Sequence, residues 1–564
     1  MLKSEGTFIQ SIQNKSGSAA FRRSVFLIIV ALQISLMFFW ATQRSNYYID
    51  EFFSFGSAHS YTFDKKDAKY INNSDDWVYE QWVDNNKLKD QLVITKETSL
   101  LSQPPLKATR MLLTRRNHQG ILNILYSVFS PGKISMYPGI IFNLVIFFFT
   151  QILIYRIMEE LTGSFPVSML AVTMYGFSAM AIGIALYIRF YTLVIFLMLA
   201  LIWLHQIMWR TEKLVKCEII TILCMVLIYF AMKDSELVFI IGGALIGCYA
   251  LGLLIRKQFI KFLCYFLTIV PVSLFYALTK TNFIDIALHP EKYSEGSGAE
   301  AWMTQKLLTV NSDRLLALLG KYIRWFSDLL FGSWYIVCSF AVVIIILLEL
   351  KALGRKPDRD PREDIDKRND GDGNSNGFIW IIFGLNTIFL AFAFLTAFPA
   401  TRYMSFFFPL VTILLWTLIG WLTKGKKCKG MVLAMCGLLT FTGIFITQVI
   451  HPENVDYVYA GDRPLIQAVQ ESGIEDAICI YSGEKHSNHA VYDCINIMPD
   501  TAKIYPMNSN KHQIDAESSP DRMLVWILNA REPIPYLADL MIGGYSLTKL
   551  GSTHTSDVYV IERR

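Results

Sequence analysis

Long apolar runs alternate with short polar ones over most of the chain, and that alternation predicts a bundle of membrane-crossing helices. The hydrocarbon core of a bilayer needs a helix of about 20 apolar residues, within a range of about 17–25. Runs of that kind lie near residues 24–41, 134–155, 164–186, 190–209, 218–232, 237–254, 259–279, 330–348, 378–398, 404–423 and 430–449. The stretch at 218–232 is short and 164–209 can be divided in more than one way, so the pattern predicts roughly eleven spans. The first run exceeds the apolar core of a secretory leader. No small-x-small site follows it in Phe39-Trp40-Ala41-Thr42-Gln43, so it reads as a retained span.

Basic residues collect in alternate short loops: Arg22-Arg23, Arg156, Arg210/Lys213/Lys216, Arg256/Lys257, Lys351 to Arg368, and Lys424/Lys426/Lys427/Lys429. The positive-inside rule then predicts a multi-pass protein, of the plasma membrane by expectation, with a cytoplasmic N-terminus and an extracytoplasmic C-terminal region. Three outer regions stand out. Residues 42–133 are too long for a connector and end in a segment where Ile121, Ile124, Leu125 and Val128 have helical spacing, as in an amphipathic helix lying in the interface. The loop at 280–328 is the second. The third is the tail, where strand-like runs (477–481, 522–528, 558–561) alternate with helical patterns such as 463–472. The expected domains are a transmembrane catalytic domain, 1–450, including the outer loop 42–133, and a small extracytoplasmic α/β domain, 451–564. The segment from Lys351 to Gly377, dense in Arg, Asp, Asn and Gly, reads as a solvated cytoplasmic loop. No internal repeat is visible, which weakens an inverted-repeat transporter reading.

Composition agrees with the membrane reading. Charged residues are 18% of the 564 and hydrophobic ones 53%, with mean hydropathy +0.36; soluble domains carry about 25% charged residues. The net charge of +5 has no Arg/Lys stripe interleaved with aromatics, so nucleic acid is not an expected partner. The nine cysteines show no zinc-type spacing. Most fall in or beside apolar runs, where Cys behaves as a small hydrophobe; Cys479 and Cys494 lie in the polar tail, where a disulfide stays open.

The placement of charge separates function classes. Asp50 and Glu51 follow the first span; Arg189, in Tyr187-Ile188-Arg189-Phe190-Tyr191, lies between spans three and four. Lys233, Asp234 and Glu236 lie between spans five and six, and Arg402, in Pro399-Ala400-Thr401-Arg402-Tyr403, between spans nine and ten. The span interiors are nearly free of charge, with His205 the main titratable exception. A transporter or proton pump needs ionisable groups near the midplane. An enzyme acting on an amphipathic lipid needs them at the interface, where head groups reside. A carboxylate can accept a proton from an attacking hydroxyl, and the planar fork of arginine can hold a phosphate and the charge growing on it. Phosphate is already a good leaving group, so one base plus cations suffices. No His/Asp ligand cluster compels a metal, and a divalent cation stays open as the only cofactor considered.

This pattern resembles the GT-C class of integral-membrane glycosyltransferases, which includes the protein O-mannosyltransferases and aminoarabinose transferases. The Asp50-Glu51 pair is similar to the acidic motif of the first outer loop in that class. The segment His118 to Phe129 resembles its bacterial "H-P-P-L-Y-Y-L-L" element, with Gln119-Gly120 in place of the prolines. Arg189-Phe190-Tyr191 is similar to "R-M-Y", and Pro399-x-x-Arg402-Tyr403, followed by Pro409, to the late "R-Y…P" motif. The resemblance implies a polytopic GT-C-like fold and transfer of a sugar, with inversion, from a polyprenyl-phosphate donor to an acceptor hydroxyl of a glycan, lipid or protein on the outer face. It implies Asp50 as the base with Glu51 beside it, positioning the acceptor or a cation. Arg189 and Arg402 would hold the donor phosphate with Tyr191 or Tyr403. Lys233 stands where bacterial relatives often have His-Tyr; it and His118 are candidate substrate-binding residues.

Other readings remain beside this one. Arg189 and Arg402 can snorkel to head groups, Tyr191 and Tyr403 can be interface-belt tyrosines, and His118 can be a satisfied surface histidine. The same charges also suit a flippase or transporter for lipid-linked saccharides, a ligase moving a whole glycan from a diphosphate carrier, or a scaffold presenting the tail. The Asn72-Asn73-Ser74 sequon matters only where the outer surface is glycosylated.

Overall fold

The computed structural model describes residues 19–63, 81–235, 237–280, 312–353, 373–396, 400–481, 489–508, 519–529 and 534–564. The sequon at 72–74, Glu236, Pro399, most of the loop at 280–328 and most of the segment 351–377 therefore lie outside the described residues. The chain divides into two compact units. The first comprises Met1–Phe39, Asn143–Ala185 and Phe190–Asp456; the second comprises Trp40–Phe142, Leu186–Arg189 and Tyr457–Arg564.

The protein is an integral membrane protein of apolar helices. Each predicted apolar stretch is helical, from Ala19–Gln43 to Lys429–Phe445. Among the described residues seven helices are long and apolar enough to cross a bilayer, or eight if a bent pair counts as one span. The remaining three stretches form shorter apolar helices, Ile240–Ile255, Phe259–Pro271 and Phe407–Thr423, so the predicted eleven are met as helices but not all as full-length spans. The helix Phe259–Lys280 contains Pro271, which cannot donate the helical hydrogen bond at its position.

Close packing in the first unit depends on small residues. Gly176 lies against the Gln33 amide, where an added Cβ would approach Gln33 Cδ to 2.3 Å, and Gln33 Nε2 donates to Val172 O at 3.0 Å. Directly after Gly176 the span breaks: Phe165–Gly176 and Ala179–Leu186 are bent by 56°. Ser178 starts the second half by accepting from Ala181 N on its hydroxyl at 3.2 Å, a standard way to satisfy an orphan donor at a helix start. The broken span delivers Leu186 to Arg189 to the second unit. His205, the titratable group of the span interiors, is fully buried, with Nδ1 2.7 Å from Leu201 O and Nε2 2.8 Å from Tyr265 Oη. Both ring nitrogens are used, which is the satisfied core histidine.

In the second unit the tail folds on a six-stranded sheet in the order β1-β3-β2-β4-β6-β5. Its strands are β1 (Val83–Asp84), β2 (Asp476–Tyr481), β3 (Lys503–Asn508), β4 (Arg522–Leu528), β5 (Tyr545–Ser552) and β6 (Ser556–Arg563). The three central strands β3, β2 and β4 are parallel. A parallel strand is covered on both faces and reads as an unbroken apolar run, as Met523-Leu524-Val525-Trp526-Ile527 does, every residue buried. The helix at 463–472 forms at the predicted positions as Arg463–Ser472. The edge strand β1 comes from the first outer loop, with Val83 opposite Ile504 and Asp84 opposite Lys503. Cys479 and Cys494 are free, buried thiols in contact with each other.

Candidate active site

The second unit is built around the residues just beyond the first helix. Arg44 has no exposed side-chain surface. It donates through Nε to Asn46 O at 2.9 Å, and through its two terminal nitrogens to Leu186 O and to the Glu51 carboxylate. Glu51, equally buried, also accepts from Tyr48 N at 2.8 Å and Ile188 N at 2.7 Å. The first of these bonds is half of a capping box at the start of the helix Ile49–His59. Two acids in its first turn also suit the positive end of the helix dipole. Arg44 and Glu51 thus pin the end of the broken span, Leu186 to Ile188, onto the acidic helix.

Asp50, one residue earlier, points elsewhere. Its carboxylate is partly exposed and accepts from Tyr187 Oη at 2.7 Å. Arg189 lies beside it, donating to Asp50 O at 2.9 Å and to Ser54 Oγ at 3.1 Å. His118, only 3% exposed, sits within the field of Arg189. Burial, with the Arg189 and Arg116 charges adding to it, pushes its imidazole down to about 3, so it is neutral. Gly120 on the same helix lets the Tyr61 hydroxyl lie against the backbone, where an added Cβ would stand 2.7 Å from that oxygen. Asn123 ties the helix to its neighbours, donating to Ala58 O at 2.8 Å and Thr98 O at 2.9 Å.

A stack of rings leads away from Asp50. Tyr187 lies face to face with Tyr457, centroids 4.0 Å apart and planes at 4°, and Tyr48 meets both edge-on at 6.0 Å. Tyr457 contacts Tyr459, which stacks on His554 at 3.8 Å. His554 Nδ1 is 2.7 Å from Asp462 Oδ2. The fully buried Asn46 joins this group to the first outer loop, donating to Asp462 at 2.9 Å and to Asp493 at 3.2 Å. Asp493 is satisfied in turn by Thr553, Thr555 and Ser556 hydroxyls.

The first unit holds the other predicted residues. Arg402 and Tyr403 lie on the short helix Thr401–Met404, the Arg402 guanidinium 5.2 Å from the Tyr403 ring, and Tyr403 meets Tyr191 edge-on at 6.5 Å. Thr401 Oγ1 donates to Asp456 at 3.1 Å. Burial holds the Asp456 carboxyl above its ordinary range against the opposing effects of that bond and of the Arg402 charge. Lys233, in the last turn of Leu214–Asp234, stands 5.5 and 5.1 Å from the Tyr229 and Phe230 rings. The structure therefore brings together Asp50, Glu51, Arg189 and His118 in one unit, and Tyr191, Arg402 and Tyr403 in the other. Among the described residues no group of three or more His, Cys, Asp or Glu side chains could hold a metal ion.

Nothing in the sequence analysis above points to Arg44, Asn46, Asp456 or Tyr457, and Tyr187 enters it only as a neighbour of Arg189. One signal was available for Arg44: it is a basic residue at the end of a span opposite the basic loops, where the charge bias disfavours it.

His118 gives a pH dependence. Its folded value lies well below the ordinary 6.5, so the unfolded chain takes up a proton first as pH falls. Stability is full above about 6.5 and declines toward 3. By pH 5 the loss is about 2 kcal/mol, at 1.36 kcal/mol per pH unit. Thermal unfolding in detergent is expected to show a steeper fall between pH 6.5 and 5 for the wild type than for His118→Gln. Equal slopes would refute a neutral buried imidazole.

No family model matches the chain, and no curated protein does. Among solved structures it is similar to ArnT from Cupriavidus metallidurans bound to undecaprenyl phosphate, with TM-score 0.50 and 10% identity over 96% of this chain and 98% of that one. The apo state of ArnT superposes with TM-score 0.45 and 11% identity over the same shares. The chain has the GT-C fold expected from its sequence motifs.

Proposed function

We propose that this protein is a membrane glycosyltransferase that moves a sugar from a polyprenyl-phosphate donor to an acceptor hydroxyl on the extracytoplasmic face, with inversion. The observation that carries the reading is the Asp50 carboxylate, partly exposed and held by Tyr187 beside Arg189. The shared fold with a protein solved with undecaprenyl phosphate bound supports the donor class. Asp50 takes the proton of the acceptor hydroxyl, whose oxygen bonds to the anomeric carbon as the bond from that carbon to the phosphate oxygen breaks. The carrier phosphate leaves with its charge. Glu51, turned inward onto Arg44, positions the helix rather than touching substrate. Arg189 and Arg402, with Tyr191 and Tyr403, are assigned to the donor phosphate, and His118 and Lys233 to substrate binding. The basic loops support a cytoplasmic N-terminus.

The test is to incubate the purified protein with a panel of polyprenyl-phosphate sugars and an acceptor mixture and to measure released carrier phosphate. Release from at least one donor is expected. Movement of the intact lipid-linked sugar across a vesicle membrane without phosphate release would replace this reading with a flippase.

A further inference from the structure

We infer that the chain following the last span is part of the reaction machinery: Tyr457 clamps the Tyr187 ring, and the Tyr187 phenol fixes the orientation of the Asp50 carboxylate. The inference rests on Asp50 being the base, and makes Tyr187 and Tyr457 positioning residues for it.

Three observations carry it. The Tyr187 hydroxyl donates to Asp50 Oδ2 at 2.7 Å, and a donor on one carboxylate oxygen fixes the torsion that aims the other. Tyr187 lies two residues before Arg189 in the segment Leu186 to Arg189, whose Leu186 O and Ile188 N are bound to Arg44 and Glu51. The backbone on both sides of Tyr187 is thus anchored, and the ring needs only a lateral partner to be immobile. Tyr457 is that partner, parallel at 4.0 Å.

The conformation of Tyr457 supports a role for its ring. Tyr457 and Tyr459 have φ of +67° and +51°, the left-handed region that a bulky residue enters only at a cost of about 1–2 kcal/mol. Glycine would adopt it freely. Two tyrosines occur there instead, each with its ring in a parallel stack, Tyr457 on Tyr187 and Tyr459 on His554. The backbone is held by Ser45, which donates from its nitrogen to Val458 O at 3.1 Å and from its hydroxyl to Tyr459 O. Asp462, bonded to both Asn46 and His554, anchors the far end. A sheet domain that served only as a surface module would not need strained tyrosines at its entry aimed at the first outer loop.

The charged and titratable groups around Asp50 are Tyr187, Tyr48, Arg189, the Arg44–Glu51 pair and the neutral His118. The Tyr187 hydroxyl donates to the carboxylate itself. A lost donor leaves the carboxylate less stabilised in its charged form. In Tyr187→Phe the acid limb of the kcat/KM profile should therefore move up by about one pH unit.

The experiment measures carrier-phosphate release by wild type, Tyr187→Phe, Tyr457→Gly, the double variant and Asp50→Asn, each across pH. Tyr187→Phe loses one hydroxyl and should fold. Tyr457→Gly keeps the positive φ at no steric cost while removing the ring. Expected are a fall in kcat of about 10–100-fold in each single variant, with donor KM within about twofold, and a raised acid limb. The double variant should be no worse than the more affected single, since both act through one carboxylate. A Tyr187→Phe protein with unchanged kcat and acid limb, beside an inactive Asp50→Asn, overturns the inference and leaves the base assignment standing. Lower thermal stability with an unmoved acid limb overturns it too, as a structural role only. An active Asp50→Asn overturns the base assignment and this inference with it.

Discussion

Asp50→Asn is expected to bind the lipid-phosphate donor as the wild type does and to turn it over about 10²–10⁴-fold more slowly, the range that a positioned general base contributes. Asparagine has the same shape, and its amide oxygen can still accept from Tyr187. The bonds from Arg189 to the backbone carbonyl of Asp50 and to Ser54 Oγ survive the change. What disappears is the ability to take a proton. Donor affinity measured by equilibrium binding and turnover measured by single-turnover release of carrier phosphate separate the two effects. An Asp50→Asn rate within tenfold of wild type would remove Asp50 from the chemistry.

The second large effect is on folding. Arg44→Met should destabilise the second unit by about 3–5 kcal/mol, because it leaves a buried carboxylate without its counter-charge. The Leu186 and Asn46 carbonyls lose a donor in the same step. Removing both charges is gentler than removing one, since well-packed neutral groups often replace a buried pair at little net loss. Arg44→Met/Glu51→Gln should therefore recover part of the stability lost in Arg44→Met, a coupling that double-mutant cycles of contacting residues detect. Unfolding midpoints in detergent for the wild type, Arg44→Met, Glu51→Gln and the double variant are the measurement. Additive losses would mean that the two side chains do not depend on each other.

How much of this could be read beforehand follows from the range of each interaction along the chain. Apolar runs predict helices because their signal is local, and the strands at 477–481, 522–528 and 558–561 were visible for the same reason. Strand β1 was not, being two residues paired with a strand more than 400 positions away. Asp50 and Glu51 look equivalent in sequence. Consecutive helical residues diverge by about 100° around the axis, from 3.6 residues per turn, so one carboxylate faces inward onto Arg44 while its neighbour meets Tyr187. The motif names both acids but cannot say which of them turns inward onto Arg44. Arg189 was found through its neighbours in sequence, whereas the role of Tyr187 depends on Tyr457, which lies 270 positions later and carries no local mark.

The discontinuity of the second unit sets a timetable for the newly made protein. Asn46 leaves the ribosome 416 residues ahead of Asp462 and 447 ahead of Asp493, and at about 5–20 residues per second that is roughly 20–90 s. During that interval the membrane helices emerge while Asn46 still lacks both of these acceptors. Each nascent chain thus passes through a stage in which its first outer loop exists without the carboxylates that Asn46 binds, and it ends that stage only when its own tail folds back.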